Sequence, residues 1–159
     1  MAPTIADFSA ADLRAGANLL RTTALWFEAD PDNRWIQREI AVAVNVETPG
    51  ELCGADYIGR PDNVVCGCAI GGLRANYQGL VAAGHEVCSD GLEPHYNAAI
   101  VGLSTALWPG GITRRGINPH IFSWNDADGQ TAANVIFQMR NAANLLEDEA
   151  NRRDAQAAA

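Results

Sequence analysis

The spacing of apolar residues predicts four helices. Ser9 precedes Ala10-Ala11-Asp12, a Ser-x-x-Asp capping pattern. Leu13, Ala17, Leu20, Ala24 and Phe27 then recur at helical intervals, with Leu19 and Trp26 widening the stripe, until Asp30-Pro31-Asp32 stops it. A second stripe runs through Cys66, Ala69, Ile70, Leu73, Tyr77, Leu80 and Val81. It follows Arg60-Pro61-Asp62-Asn63, where Asp62 or Asn63 serves as cap, and it ends at Gly84. Gly67, Gly71 and Gly72 weaken that helix but admit another element close to its backbone. A third helix opens near Glu93-Pro94, turns Tyr96, Ile100, Leu103 and Leu107 inward, and stops at Trp108-Pro109-Gly110-Gly111. A long loop is expected from Ile112 to Gly129. The last helix starts behind Thr131, with Val135, Ile136, Met139, Ala143 and Leu146 facing in. Asp148–Arg152 and Glu149–Arg153 sit at i,i+4 on its outer side.

Residues 35–58 read differently. Ile40 to Val46 is rich in β-branched residues, and Thr48-Pro49-Gly50-Glu51 suits a type II turn. A hairpin with Leu52 to Ile58 returning is the expectation, and a helix through Ile36, Ile40, Ala43 and Val44 is the rival. The fold class is therefore α+β and mostly helical: about four helices around one core with a small β-hairpin. Residues 1–150 form one globular domain, and 151–159, ending in Ala155-Gln156-Ala157-Ala158-Ala159, form a tail expected to fray.

Composition narrows the function. The chain has 159 residues, a hydrophobic share of 48% and a charged share of 19%, which suit a folded globule. Net charge is −8, and every one of the 11 basic residues is Arg. Without Lys there is no phosphate-loop NTPase motif, no Schiff-base or pyridoxal-phosphate lysine, and no Ser-Lys dyad. An acidic globule also repels a nucleic-acid backbone, so no nucleic-acid partner is expected. No apolar run approaches the ~18 residues of a membrane span. The first residues lack a basic stretch followed by an apolar one, so a cytoplasmic location with reduced thiols is expected.

The candidate chemistry is sparse. Cys53, Cys66, Cys68 and Cys88, with His85, offer soft metal ligands. On a helix, however, the sulfurs of Cys66 and Cys68 would lie about 200° apart. Buried thiols are the expectation, with no metal and no cofactor. His85, His95 and His120 stand alone in sequence, and nothing local pairs one with a thiol. Gly102-Leu103-Ser104-Thr105-Ala106 resembles a nucleophile elbow but lies within a helical stripe, where Ser104 is expected to bond a carbonyl one turn back. Arg114 and Arg115, after Pro109-Gly110-Gly111, are candidates for binding an anion. Trp124, Asn125 and Asp126 either anchor the turn into the last helix or line a pocket beside the indole.

Three motifs carry a resemblance. They are Trp35-Ile36-Gln37, then Cys68-Ala69-Ile70-Gly71-Gly72, then the run from Trp124 to Thr131. The chain resembles an uncharacterised family of small proteins of actinobacteria and their bacteriophages, whose closing motif reads Trp-Asn-Asp-x-Pro-Gly-Arg-Thr. It departs from that motif at Asp128, where Pro is usual, and at Gln130, where Arg is usual. The resemblance implies a lineage and a compact helical fold, and brings no activity with it.

Two functions are carried forward. One is a non-enzymatic accessory protein, encoded by a bacteriophage, that binds a host or phage protein. The other is a protein or enzyme binding a small molecule or a nucleotide-like anion through the 109–131 loop, with Arg114, Arg115, Trp124, Asn125 and Asp126.

Overall fold

A computed structural model describes residues 3–44, 52–54, 64–77, 94–111 and 116–159. Helix α1 spans Ala10–Ala29. Its capping box is complete: Ser9 Oγ accepts from the Asp12 amide at 3.1 Å, and the Asp12 carboxylate accepts from the Ser9 amide. One turn, α2 (Pro31–Arg34), follows at once. The last helix, at Ala132–Ala157, is capped by Thr131, whose Oγ1 accepts from the Asn134 amide. It runs antiparallel to α1, because Arg14 meets Asp154, Arg21 meets Glu147 and Glu28 meets Arg140. The inner faces predicted for both helices are buried, from Leu13, Leu20 and Phe27 to Val135, Met139 and Leu146.

The segment after α2 leads through a bend into a sheet. Strand β1 (Ala41–Val44) lies between β2 (Leu52–Gly54) and β3 (Val64–Gly67), antiparallel to both. Val44 pairs with Leu52 and Val42 with Gly54, so the hairpin displaces its helical rival. The turn at 48–51 and most of the returning strand lie outside the described residues.

The third strand corrects the expectation for the second helix. Residues 64–67 do not continue the helical stripe. They pair with β1, Ala41 opposite Gly67 and Val42 opposite Cys66. Helix α3 begins only at Ala69 and runs to Asn76, and Cys68 is its cap in place of Asp62 or Asn63. The reason is local and tertiary together. Val64-Val65 prefers the extended chain, and β1 supplies the partner. Ala69, Ile70 and Leu73 are fully buried, as the stripe requires. Leu80, Val81 and Gly84 lie outside the described residues.

Two glycines of α3 set its distance to the rest of the fold. A Cβ on Gly71 would stand 1.7 Å from the Ile40 carbonyl oxygen, and one on Gly72 2.5 Å from the Phe27 ring. The strand segment and α1 therefore pack directly against the helix backbone, as these small residues suggest.

Helix α4 spans Pro94–Leu107 and buries Tyr96, Ile100 and Leu103. A further helix, α5, occupies Ile117–Asn125, where a loop was expected. Only Ile121 and Asn125 of it are buried, and Gly116 caps it without a side-chain bond, so neither a stripe nor a cap marks it. The final helix, Ala132–Ala157, is α6. At its outer end Arg152 pairs with Glu149, not with the expected Asp148, and Arg153 also pairs with Glu149. Arg153 additionally donates to the carbonyls of Ile5 and Phe8, tying the start of the chain to its end.

Candidate functional site

The three motifs converge. The end of α5, the run after α2 and the first turn of α3 meet around Asn125, which is 0% exposed. Its Oδ1 accepts from Trp35 Nε1 at 2.9 Å and from the Ala69 amide at 3.0 Å. Its Nδ2 donates to the Ile36 carbonyl and to Asp126 Oδ1, both at 3.0 Å. Two acceptor sites and two N–H groups are the whole capacity of an amide side chain, and all are used. The partners also fix which way the amide points. Trp35 Nε1 and the Ala69 amide can only donate, and the Ile36 carbonyl can only accept.

Gln37 and Asp126 complete the junction. Gln37 Nε2 donates to the carbonyls of Asn125 and Ala127. Asp126 Oδ1 also accepts from the Arg38 amide at 2.8 Å. Arg38 has φ +69°, a left-handed conformation that costs a non-glycine residue free energy and that these bonds hold in place. The Ile36 amide donates to the Gly67 carbonyl and the Cys68 amide to the Ile40 carbonyl, which joins the run to β3 and α3.

These bonds differ from the expected local turn. Asn125 and Asp126 reach back 88 to 90 residues to Trp35, Ile36 and Arg38, and Asn125 reaches back 56 to Ala69. The turn into α6 is instead closed by backbone bonds from Ala127 to Trp124 and from Gln130 to Ala127, with Gly129 at φ +79°. Gln130 helps: its Nε2 donates to the Trp124 carbonyl, and its Oε1 accepts from Asn134 Nδ2 at 2.6 Å. Thus the position where the resemblance has Arg holds a clamp on that turn. Trp124 is half-buried against the core.

Cys66 and Cys68 are free thiols. Cys68 is buried at the cap of α3, where Sγ accepts from the Gly71 amide at 3.5 Å. Burial pushes its thiol above the ordinary value. Cys66, half-buried on β3, is pushed up first by burial and then by the nearby Glu39 carboxylate. A raised value keeps a thiol protonated, against what a nucleophile or metal ligand needs. Cys53 falls in β2. His85 and Cys88 lie outside the described residues, as do Arg114 and Arg115. Among the described residues, no group of three or more His, Cys, Asp or Glu is gathered where a metal ion could be held. His95 stands 3.4 Å from Asp12. His120 meets Trp108 edge-on with ring centres 5.8 Å apart, and Ser104 lies within α4, not at a strand-to-helix elbow. No helix among the described residues is long and apolar enough to cross a membrane.

Sequence reasoning named Asn125 and Asp126 but not their partners. Gln37, Arg38 and the Ala69 amide are joined to them only by the fold. The Trp-x-Gln motif was the one available signal, since it places an indole N–H and an amide two residues apart.

The model of the family of unknown function DUF6197 matches residues 9–145, from the cap of α1 to within α6, and this chain is a member of that family. None of the curated proteins and none of the solved structures matches the chain.

Proposed function

We propose that this protein is a non-enzymatic accessory protein, encoded by a bacteriophage of actinobacteria, that acts in the host cytoplasm by binding a host or phage protein. The observation that carries the reading is the outer face of the α1–α6 pair. Leu25 and Phe137 are 60% and 57% exposed there. Leu25 follows Arg21 and precedes Glu28 at helical spacing, and Phe137 precedes Arg140 by one turn, so both flank the Glu28–Arg140 ion pair. Large apolar side chains rimmed by charges suit a protein surface that another protein covers.

The motif residues support the same reading by what they are spent on. Asn125 has no bond left for a ligand, Gln37 Nε2 is taken up by backbone carbonyls of the junction, and Asp126 Oδ1 by the Arg38 amide and Asn125 Nδ2. The alternative, an anion site in residues 109–131, would rest on Arg114 and Arg115.

The test uses immobilised full-length protein in lysate of an actinobacterial host, with and without phage. A partner recovered by the wild-type chain and lost with Leu25→Glu/Phe137→Glu supports the reading. A partner retained by that double variant removes this face from it. In parallel, a thermal-shift screen of nucleotides and divalent metals should leave melting unchanged, and a saturable shift with a nucleotide would favour the alternative.

A further inference from the structure

The turn that precedes α1 is built as a separate piece. Ile5–Asp7 form a single helical turn whose bonds close on themselves. The Thr4 amide and hydroxyl both donate to the Asp7 carboxylate, and the Asp7 and Phe8 amides donate to the carbonyls of Thr4 and Ile5. Helix α1 does not depend on this turn, because Ser9 and Asp12 supply that helix with its own cap. Phe8 and Ser9, at ψ 149° and 161°, form an extended joint between the two. The turn is seated by two side chains and one guanidinium. Ile5 and Phe8, three residues apart, are half-buried against the core. Among the described residues, the hydrogen bonds that reach it from outside come from Arg153, which donates to the Ile5 and Phe8 carbonyls.

A cleft opens on each flank. On one side, about 710 Å³ lies between Ile5 and Ala6 and the Asn141, Leu145 and Asp148 side of α6. On the other, about 500 Å³ lies between the same two residues and the face of α4 that carries Val101, Thr105 and Trp108. Elements that complete a core interdigitate with their neighbours at near-crystalline density. This turn instead has open space of ligand-site size along both sides. It therefore lies across a groove wider than itself, and Ile5 and Ala6 are the bridge that divides the groove in two.

We propose that this groove is a docking site for a helical turn of another protein, and that Pro3–Phe8 is an autoinhibitory strap that fills it in the free chain. The strap itself shows which chemistry the groove accepts. It takes two bulky apolar side chains at i and i+3, one aliphatic and one aromatic. It also takes backbone carbonyls, of the kind that the end of a helical turn leaves without partners, and Arg153 donates to them. Glu149 holds the Nε edge of that guanidinium at 2.7 Å, so the two amino groups are aimed at the carbonyl pair. A partner with the same pattern that continues into either cleft makes contacts that the strap does not, and so displaces it. The site uses neither Leu25 nor Phe137 and stands whether or not their face binds a protein.

Fluorescence anisotropy of the full chain tests it, with a labelled, end-blocked peptide copying residues 3–9 as the probe. An incoming peptide binds only the fraction of chains whose strap is open. Ile5→Asp/Phe8→Asp removes both apolar contacts of the strap and leaves the Ser9 cap. The peptide should bind this variant about tenfold more tightly than the wild type, with circular dichroism showing the helices intact. Thr4→Ala/Asp7→Ala is gentler, since it breaks only exposed bonds inside the strap, and it should tighten binding about threefold. Adding Arg153→Ala to the gentler variant should weaken the peptide about fivefold, as loss of its carbonyl bonds requires. A peptide with its Ile and Phe both changed to Asp should bind none of these chains. Three results would overturn the proposal. They are no saturable binding of the peptide to the Thr4→Ala/Asp7→Ala chain at millimolar concentration, equal affinity for that chain and the wild type, or equal affinity of the altered and unaltered peptides.

Discussion

The α1–α6 pair and the Asn125 junction hold the same molecule by opposite means. The helix pair puts apolar volume inside and charge outside, where Arg14–Asp154, Arg21–Glu147 and Glu28–Arg140 cross it in contact with water. The junction puts polar atoms inside and matches each donor to an acceptor around one fully buried amide. The first is tolerant of atom type and sensitive to volume. The second is the reverse, because a buried polar group without its partner costs far more than the bond contributes when made.

The comparison is broken most sharply by Asn125→Asp, which keeps the shape and changes one atom. It sets a carboxylate oxygen against the Ile36 carbonyl and the Asp126 carboxylate, in a site closed to water. The expected loss is about 4 kcal/mol, within the range for an uncompensated buried charge. Chemical denaturation measures it, and exchange of the Trp35 indole N–H should speed up in parallel. Leu20→Ala is the matching change in the helix pair, at a side chain with no exposure. It should cost about 3 kcal/mol, as buried leucine truncations do, without selectively loosening the Trp35 indole. Equal effects of both variants on indole exchange would mean the two regions open as one unit.

Smaller changes sharpen the edges. Arg153→Ala removes the bonds to the Ile5 and Phe8 carbonyls and should cost about 1 kcal/mol in a denaturation midpoint. Arg140→Ala breaks an exposed ion pair and should stay within about 0.5 kcal/mol by the same measurement. The smallest effect is in acid. Bonds from Arg152 and then Arg153 hold Glu149 at about 2, below its ordinary 4.5. A carboxylate depressed in the folded state stabilises the fold above its unfolded value, and that contribution fades as pH falls from about 4.5 through about 2. Melting temperature should therefore fall more steeply over that interval for the wild type than for Glu149→Gln.

How far the sequence was readable follows the same division. Helices α1, α4 and α6 show in their stripes, caps and stops because every signal lies within a few turns of chain. The pairing of β1 with β2 was legible from the β-branched residues around Ile40 to Val46. Helix α5 was not: its cap is Gly116, and Ile121 is the one apolar residue it buries fully. The third strand was hidden because Cys66 fits the helical stripe of α3 by spacing, while its backbone pairs with Val42. At the candidate site, Asn125 and Asp126 were visible as turn-forming residues. Their true role was not, since a residue's own neighbours do not reveal a bond to Trp35 or Arg38.

By itself, then, the sequence determined the helical layer, the small residues that let α3 lie close to Ile40 and Phe27, the acidic surface and the exclusion of lysine chemistry. Those properties are local sums, set by composition or by side chains three and four residues apart. Only the tertiary structure decided that residues 64–67 are a strand, that Arg38 turns left-handed, and that one asparagine joins three motifs. Each of these depends on a hydrogen-bonding partner far along the chain. Such a partner exists only once the fold has brought it within about 3 Å.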